Sequence, residues 1–240
     1  MKLSIVIPTK NEEASLPALF DTIRNQTFRD FEVVVADANS TDRTREVAAA
    51  FGAKVVDGGM PGPGRNRGAE AAIGDILLFV DADVKFPNEN YLTDVIAEFE
   101  EREVDVATCR LKPVSKRLDD KFGHALFNQY TKMTERVRAH AAGSCIISRR
   151  CVHDGINGFD ERVMFAEDQE YVNRAQKNGF RFRLLESHPM LVSVRRLEKD
   201  GRFAIAGKYL YSEFYMLAKG PMKDRIPFEY RFAHFDEHKD

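Results

Sequence analysis

Short apolar runs alternate with segments of helical periodicity over the first 110 residues. The apolar runs predict strands at residues 3–7, 31–36, 54–56, 76–80 and 104–110. The amphipathic segments between them predict helices at residues 12–26, 41–51, 63–73 and 91–101. Because strands alternate with helices, the pattern predicts an α/β fold with a mostly parallel central sheet and helices on both faces.

The alternation becomes less regular after residue 110. Helices are predicted at 118–137, 168–177 and 203–219, and strands at 144–148, 181–185 and 190–194. The chain shows no repeat or linker composition. We therefore predict one main domain over residues 1–200, with halves at 1–110 and 111–200, followed by a helical C-terminal appendage at 201–240.

Composition and charge narrow the function classes. Of the 240 residues, 43% are hydrophobic and 31% are charged, and these are values of a globular chain. The net charge of −2 argues against a nucleic-acid partner. Three cysteines without a CxxC spacing argue against a disulfide framework or a zinc knuckle. The first apolar run is too short for a signal peptide, so we expect a cytoplasmic protein.

Polar loops follow each of the first four predicted strands. They begin at Pro8-Thr9-Lys10-Asn11-Glu12, at Asp37, at Gly58 and at Asp81-Ala82-Asp83. Since ligands collect at the carboxyl ends of parallel strands, these loops predict one binding edge. Turn formation and helix capping explain Ser40, Thr41 and Asp42 equally well. Four such loops at one edge favour a site.

Two of these loops carry specific chemistry. Asp81 and Asp83 directly follow the most apolar strand, and such a carboxylate pair can bind Mg²⁺ or Mn²⁺ together with phosphate oxygens. A pair of turn carboxylates is the alternative. The segment from Gly62 to Gly68 fits neither a dinucleotide-binding fingerprint nor a P-loop. Its Arg65 could still reach a phosphate.

Five motifs together resemble the family 2 glycosyltransferases. They are Ser4 to Glu12, Val34 to Thr44, the GxxRNxG loop, the strand with Asp81-Ala82-Asp83, and Gly158-Phe159-Asp160 followed by Glu167-Asp168. They occur in order over about three-quarters of the chain. The resemblance implies a GT-A fold with a Rossmann-like sheet. It also implies transfer of a sugar from a nucleotide-sugar donor, with inversion and with a divalent metal.

The resemblance also implies site residues by position. Pro8, Thr9 and Glu12 would line the nucleotide pocket, Asp37 would bond the base, and Arg65 would lie near the nucleotide-sugar. Asp81 would contact the ribose or metal-bound waters, Asp83 would ligate the metal, and Asp168 would be the catalytic base. An acceptor hydroxyl needs such a base as it attacks the anomeric carbon. Acids in a first helical turn, opposing the helix dipole, are the alternative for Glu167 and Asp168.

Some positions depart from the patterns of the family. Lys85 stands where polyprenyl-phosphate sugar transferases often carry a glutamine that binds metal. The QxxRW motif of processive synthases is absent, and Ser193 to Arg196 is similar to the SxRR segment of non-processive members. Arg195 and Arg196 are candidates for phosphate contacts or for a solvated basic pair. His188 is a candidate third metal ligand, although a satisfied histidine fits the sequence better.

The C-terminal segment combines aromatic and basic residues. The predicted helix at 203–219 carries five aromatic residues, and Lys208, Lys219, Lys223, Arg225 and Arg231 lie in or after it. Such a segment could recruit a lipid-linked acceptor at the cytoplasmic membrane face, or it could pack against the core or a second subunit.

Two rival functions remain open beside sugar transfer. A nucleotidyltransferase also uses a nucleotide, Mg²⁺ and carboxylates. Such an enzyme is expected to have a glycine-rich basic motif after the first strand, and Pro8-Thr9-Lys10-Asn11-Glu12 lacks it. A non-catalytic nucleotide-sugar binding module would bind the donor without turnover. UDP-, GDP- and dTDP-sugars are all candidate donors, the acceptor is a sugar, a lipid-linked molecule or another alcohol or phosphate, and the oligomeric state is open.

Overall fold

The computed structural model describes residues 3–59 and 61–223. Its strands are β1 (Leu3–Thr9), β2 (Phe31–Asp37), β3 (Lys54–Asp57), β4 (Ile76–Phe79), β5 (Val84–Lys85), β6 (Val106–Pro113), β7 (Ile146–Arg149) and β8 (Phe182–Val192). Its helices are α1 (Leu16–Arg24), α2 (Thr44–Phe51), α3 (Pro61–Ala71), α4 (Tyr91–Glu101), α5 (Leu118–Thr134), α6 (Arg150–Gly155), α7 (Glu167–Lys177), α8 (Arg195–Asp200) and α9 (Arg202–Lys219).

These strands form one sheet in the order β3-β2-β1-β4-β7-β6-β8-β5. The β3, β2, β1 and β4 strands are parallel, and so are β6 and β8, whereas β7 and β5 run antiparallel to their neighbours. The carboxyl ends of β1 to β4 therefore meet at one edge. Because β7 is antiparallel to β4, the residues just before Ile146 lie at this same edge. The second half of the chain therefore contributes residues to the edge as well.

Apolar side chains of β1 cover both faces of the sheet. Ile5 and Ile7 pack on one side with Leu19 of α1, and Val6 packs on the other side with Ala69 of α3. Burial on both faces explains why the central strands are continuous apolar runs without alternation. The α3 helix lies so close to the sheet that a Cβ at Gly68 would overlap Val6.

The structure changes several predicted boundaries. The predicted helix over 12–26 begins at Leu16, the predicted helix over 118–137 ends at Thr134, and β5, α6 and α8 were not predicted. The two predicted strands at 181–185 and 190–194 form the single strand β8. The polar segment between them stays extended because the Glu98 carboxylate on α4 accepts hydrogen bonds from the backbone N–H groups of Glu186 and Ser187.

The described part of the predicted C-terminal appendage is α9 with the residues up to Lys223. Tyr215 and Met216 pack on a small cluster formed by Phe165, Ala166 and Met222. In the described ranges no helix is both long and apolar enough to cross a membrane. Arg225 and Arg231, which the sequence placed in the basic segment, lie outside the described residues.

Candidate active site

A cleft opens at the carboxyl edge of β1, β2 and β3. It has a volume of about 540 Å³ and is lined by Lys10, Asp37, Ala38, Asn39, Asp57, Gly58 and Gly59. The backbone forms its floor, since a Cβ at Gly58 would lie 2.5 Å from the carbonyl oxygen of Ala36. Asn39 adopts a φ of 59°, a left-handed conformation that asparagine tolerates. Because Gly58 and Gly59 have no side chains, a ligand in the cleft can approach the main chain closely.

Asp37 organises the loops around this cleft. Its carboxylate is buried, and it accepts hydrogen bonds from Thr9 Oγ1 at 3.1 Å and from the Ser40 backbone N–H at 3.0 Å. Ser40 Oγ also donates to it, and Arg45 pairs with it at 3.4 Å. These bonds fix the end of β1 against the end of β2. Asp37 thus lies at the predicted pocket with both oxygens engaged by the protein itself.

Arg65 joins three elements beneath the site. Its side chain is 2% exposed, and its guanidinium donates to Asp81 Oδ1 at 3.0 Å and to Glu167 Oε1 at 2.6 Å. The Phe159 ring packs 5.4 Å from the guanidinium carbon. Arg65 therefore ties α3 to the end of β4 and to the start of α7. Partial burial raises the pKa of Asp81 in spite of the Arg65 charge.

Asp168 lies at the start of α7, next to this arginine-carboxylate group. The backbone N–H of Gly143 donates to its Oδ2 at 2.7 Å, and the N–H of Gln169 donates to its Oδ1 at 2.8 Å. Desolvation, with the Glu167 charge added, raises the pKa of Asp168 to about 7. Ala166, at the helix N-cap, has a φ of 57°, a strained value for alanine. A carboxyl with this pKa can exchange a proton near neutral pH.

Glu12 and Asp83 share one arginine from the other end of the chain. Arg195 donates to Glu12 Oε2 at 3.0 Å and to Asp83 Oδ2 at 3.1 Å. Burial raises the pKa of Glu12 even beside this cation. Burial raises the pKa of Asp81, and the charge of Arg196 opposes that rise together with the larger effect of Arg65. Both arginines of the SxRR-like segment thus act on the loop of Asp81, Ala82 and Asp83, which we call the acidic loop. They do not form a solvated basic pair.

The Asp81 and Asp83 pair fits a hard divalent cation only in part. The described residues contain no group of three His, Cys, Asp or Glu side chains that could hold a metal ion. Two carboxylates at a strand end nevertheless match the way Mg²⁺ is held in phosphate sites, where the substrate completes the coordination. The donor chemistry therefore fits a metal that is shared with a diphosphate.

His188 does not join the acidic loop. Its Nε2 lies 2.6 Å from Asp94 Oδ2, and its Nδ1 lies 3.3 Å from Asn88 Nδ2. The histidine is thus satisfied on the α4 side of the sheet. The satisfied histidine that the sequence favoured is confirmed, and the alternative of a third metal ligand was wrong, because β8 carries the ring toward α4.

Two motifs of the sequence meet through Asn66. Its Nδ2 donates to the Phe159 carbonyl at 2.9 Å, and its Oδ1 accepts from the Phe159 N–H at 2.7 Å. Gly158 has a φ of 64°, and a Cβ there would lie 2.5 Å from Asn66 Oδ1. The glycine and the asparagine therefore require each other, which explains why both motifs carry small or amide residues at these positions.

Sequence reasoning missed two residues of α9 at the site. Tyr209 is 49% exposed, but desolvation of its hydroxyl end, with the nearby Asp168 charge, raises the pKa of Tyr209 to about 12. Glu213 accepts from Gln169 Nε2 at 2.6 Å and pairs with Arg138 at 3.0 Å. The α9 helix thus packs on the residues that surround Asp168. The interruption of its aromatic run by a single acid, Glu213, was the signal available in the sequence.

Comparison with known proteins gives a family and a fold. The model of the family described as "Glycosyl transferase family 2" matches residues 4–154, more than half of the chain. Over 207 residues the chain is 28% identical to poly(ribitol-phosphate) beta-N-acetylglucosaminyltransferase TarS of Staphylococcus aureus, covering 82% of this chain and 36% of that relative. The chain thus spans about a third of the length of this curated relative.

Solved structures support the predicted fold. The chain is similar to S. aureus TarS 1-349 in complex with UDP-GlcNAc, with a TM-score of 0.68, 27% identity, and coverage of 81% of this chain and 59% of that one. It also matches mannosyltransferase PcManGT from Pyrobaculum calidifontis in complex with GDP-Man and Mn²⁺, with a TM-score of 0.72, 20% identity, and coverage of 92% and 65%. The predicted GT-A fold is confirmed.

Proposed function

We propose, since this chain belongs to glycosyl transferase family 2, that it transfers a sugar from a nucleoside-diphosphate-sugar to an acceptor hydroxyl or phosphate with inversion. The observation that carries the proposal is the arrangement around Arg65. One guanidinium holds Asp81 at 3.0 Å and Glu167 at 2.6 Å, and Glu167 is the neighbour of Asp168. One buried cation thereby joins a candidate donor-binding carboxylate to the residue next to the candidate base.

Asp168 is the proposed catalytic base. It would accept the proton of the acceptor hydroxyl at a carboxylate oxygen as the hydroxyl oxygen attacks the anomeric carbon of the donor. The bond from that carbon to the diphosphate oxygen then breaks, and the diphosphate leaves with the electron pair. The Gly143 and Gln169 N–H groups hold the carboxylate in one orientation. Attack opposite to the leaving group inverts the anomeric configuration.

The cleft beside Asp37 is the proposed nucleotide pocket. Pro8 and Thr9 end β1 next to it, and Glu12 is joined to Asp83 through Arg195. Asp37 would accept a bond from the base only if it exchanged one of its present donors, so we propose the backbone around Ala38 and Gly58 as a further contact. The TarS complex with UDP-GlcNAc supports a uridine nucleotide first, with GDP- and dTDP-sugars as alternatives.

A divalent cation, Mn²⁺ or Mg²⁺, is the proposed cofactor. Asp83 would hold it directly, and Asp81 would hold it directly or through water. When bound, such a cation neutralises charge that develops on a departing diphosphate. Arg195 must then release Asp83, and its guanidinium is placed to take up a phosphate oxygen instead. Arg65, which the sequence placed at the nucleotide-sugar, would act from beneath by orienting Asp81.

The main domain and its halves at residue 110 remain our proposal for the organisation of the chain, with 201–240 as an appendage. We also propose a cytoplasmic location, with peripheral contact at the cytoplasmic membrane face. The described part of α9 supports a separate appendage only partly, because Glu213 of α9 accepts a hydrogen bond from Gln169 of α7 and so joins this helix to the main domain.

The proposal is tested by a screen of UDP-, GDP- and dTDP-sugars with Mn²⁺ or Mg²⁺. The two quantities measured are the melting temperature of the protein and the rate of donor hydrolysis. We expect one donor to raise the melting temperature and to be hydrolysed slowly, and excess EDTA to abolish both effects. Asp83→Asn should lose the metal response and keep its fold.

Each rival function has its own outcome in this screen. A nucleotidyltransferase would release pyrophosphate from a nucleoside triphosphate. A binding module would be stabilised by a donor without any hydrolysis or transfer. Retention of the anomeric configuration in the product, seen by NMR, would contradict direct displacement at Asp168.

A further inference from the structure

Two helices carry apolar side chains on the side that faces away from the core. The α5 helix packs on β6 through residues that include Asp120, Phe127 and Thr131. Its opposite side presents Leu118, Phe122, Leu126, Tyr130, Met133 and, just past the helix end, Val137, which are 40% to 82% exposed. With 100° per residue, these six positions fall on one stripe that points away from the sheet.

The α9 helix has the same unusual arrangement. Ile205 and Ser212 face inward and are buried. Phe203, Leu210, Phe214 and Leu217 lie on the opposite side and are 59% to 95% exposed. A globular helix ordinarily turns its polar side to water, so both helices have an apolar face that lacks a partner within the described residues.

The two exposed stripes belong to one surface. Arg202 at the start of α9 pairs with Asp120 near the start of α5 at 2.7 Å, and Tyr130 donates to Glu213 at 3.1 Å further along both helices. These two side-chain contacts, one near the start of both helices and one further along, link α5 to α9 and show that the helices run in the same direction. We call the surface formed by these ten exposed residues the α5–α9 face.

Charge distinguishes between the candidate occupants of the α5–α9 face. Residues 112–138 and 202–219 contain 10 lysines and arginines but only 4 acids, in a chain with a net charge of −2. The four acids are engaged within the protein: Asp119 and Asp120 with Arg117 and Arg202, Glu135 with the Leu184 N–H, and Glu213 with Arg138. The rim of the apolar face is therefore basic. A second copy would bring an identical basic rim, and the two would repel.

We propose that the α5–α9 face rests on an anionic lipid surface, with the apolar side chains entering the headgroup boundary and the basic rim contacting lipid phosphates or carboxylates. The inner side of α9 contacts Gln169, the neighbour of Asp168, through Glu213. An acceptor anchored in that lipid surface would thus lie beside the candidate base. This last step rests on the proposed sugar transfer, whereas the lipid contact itself does not.

The structure also changes which residues carry the attachment. Lys223 pairs with Asp160 at 2.6 Å, so it holds the segment after α9 against the loop before α7 and is not part of the rim. Lys121 and Lys219 are exposed beside the two stripes and take its place. The α5 helix, which sequence reasoning left out of the membrane hypothesis, contributes more than half of the apolar face.

Co-sedimentation of the whole chain with vesicles tests the proposal. The probes are vesicles of phosphatidylcholine with 30% phosphatidylglycerol and vesicles of phosphatidylcholine alone. We expect the bound fraction to be at least fivefold larger on the anionic vesicles and to fall as salt rises. Leu126→Gln combined with Phe214→Gln should reduce the bound fraction at least fivefold. Ile73→Gln is the matched control, because Ile73 is 62% exposed at the opposite end of the sheet, before β4, and should bind like the wild type.

Three outcomes would overturn the proposal. The protein could remain in the supernatant at low salt, or the double variant could bind vesicles as well as the wild type. In the third, analytical ultracentrifugation without vesicles would show a dimer that the double variant abolishes, and a second copy would then be the occupant. Donor hydrolysis measured without vesicles reports on the proposed sugar transfer separately, so failure of one proposal does not imply failure of the other.

Discussion

Arg195 and Asp83 meet across 112 residues of sequence, with Nη2 of the arginine 3.1 Å from Oδ2 of the aspartate. The same nitrogen lies 3.0 Å from Glu12 Oε2. A protein cation therefore stands where the proposed metal would bind. Without nucleotide, the two cations compete for one carboxylate.

This competition gives the first prediction. Arg195→Gln should tighten Mn²⁺ binding to the nucleotide-free protein roughly fivefold, which is the size of a partly exposed ion pair of about 1 kcal/mol. Electron paramagnetic resonance of free Mn²⁺ measures the change directly. Arg24→Gln, which removes an arginine at the far end of α1, is the control and should leave the affinity unchanged. Equal Mn²⁺ affinities for Arg195→Gln and the wild type would show that Arg195 does not compete with the metal for Asp83.

The second prediction concerns the base. Asp168→Asn should lower kcat by about 10²–10⁴-fold while the Kd of the donor changes little, because a base acts on the acceptor and not on the nucleotide. Isothermal titration with the donor and a rate assay separate the two effects. Transfer at the wild-type rate by Asp168→Asn would show that another residue is the base.

The raised pKa of Asp168 predicts opposite effects of pH on rate and on stability. The carboxyl works as a base only when ionised, so kcat should fall as pH drops below about 7. The folded protein binds this proton more tightly than the unfolded chain does, so stability should fall as pH rises from about 4 to 7. Asp168→Asn should therefore raise the melting temperature at pH 8, with the gain vanishing near pH 4. A gain of equal size at both pH values would contradict the assignment.

The sequence predicted the first half of the fold well because its signals are local. The β1, β2 and β4 strands are buried on both faces, and each is a continuous apolar run followed by a polar loop. Their parallel order brings Asp37, Asp81 and Asp83 to one edge, as the loops suggested. Asp168 joins them because β7 delivers Gly143 to that same edge.

The features that escaped prediction depend on partners distant in sequence. β8 stays extended through Glu186 because Glu98 accepts two of its N–H groups. Arg195 reaches Glu12 from 183 residues away. Hydrophobic periodicity shows only which side of a segment is buried, so it contains no information on pairs between distant residues. The α5 helix shows the limit most clearly, since it is apolar on its exposed side as well.

Close packing at Gly143 gives the next prediction. A Cβ at this position would overlap Arg65 Nη2 and lie 3.2 Å from Asp81 Oδ1. Gly143→Ala should displace the guanidinium and lower kcat by about 10²-fold, the usual effect of a shift of about 1 Å at a reacting site. Gly123→Ala is the matched control: nothing lies within 4 Å of its Cβ, and it sits inside α5. That variant should keep full activity and gain about 0.5–1 kcal/mol of stability.

The attachment of α9 depends on Glu213. Burial alone would raise the pKa of this carboxyl, but the hydrogen bond from His140 and the charge of Arg138 lower it to about 2. Gln169 adds a third donor at 2.6 Å. Glu213→Gln should therefore cost about 2 kcal/mol, because it removes one partner of a largely buried ion pair.

The loss should appear as a melting temperature lower by about 6 °C at pH 7, measured by calorimetry. Because the folded pKa is below the unfolded one, the difference from wild type should shrink as pH falls from about 4 toward 2. Hydrogen exchange should speed up in α9 and stay unchanged in β1. Glu198→Gln serves as the control, since Glu198 is 62% exposed and lies 3.9 Å from Arg202. If both variants melted like the wild type, Glu213 would not hold α9 against α7, and within the described residues the Arg202–Asp120 pair and the apolar contacts with Phe165 and Met222 would anchor the helix instead.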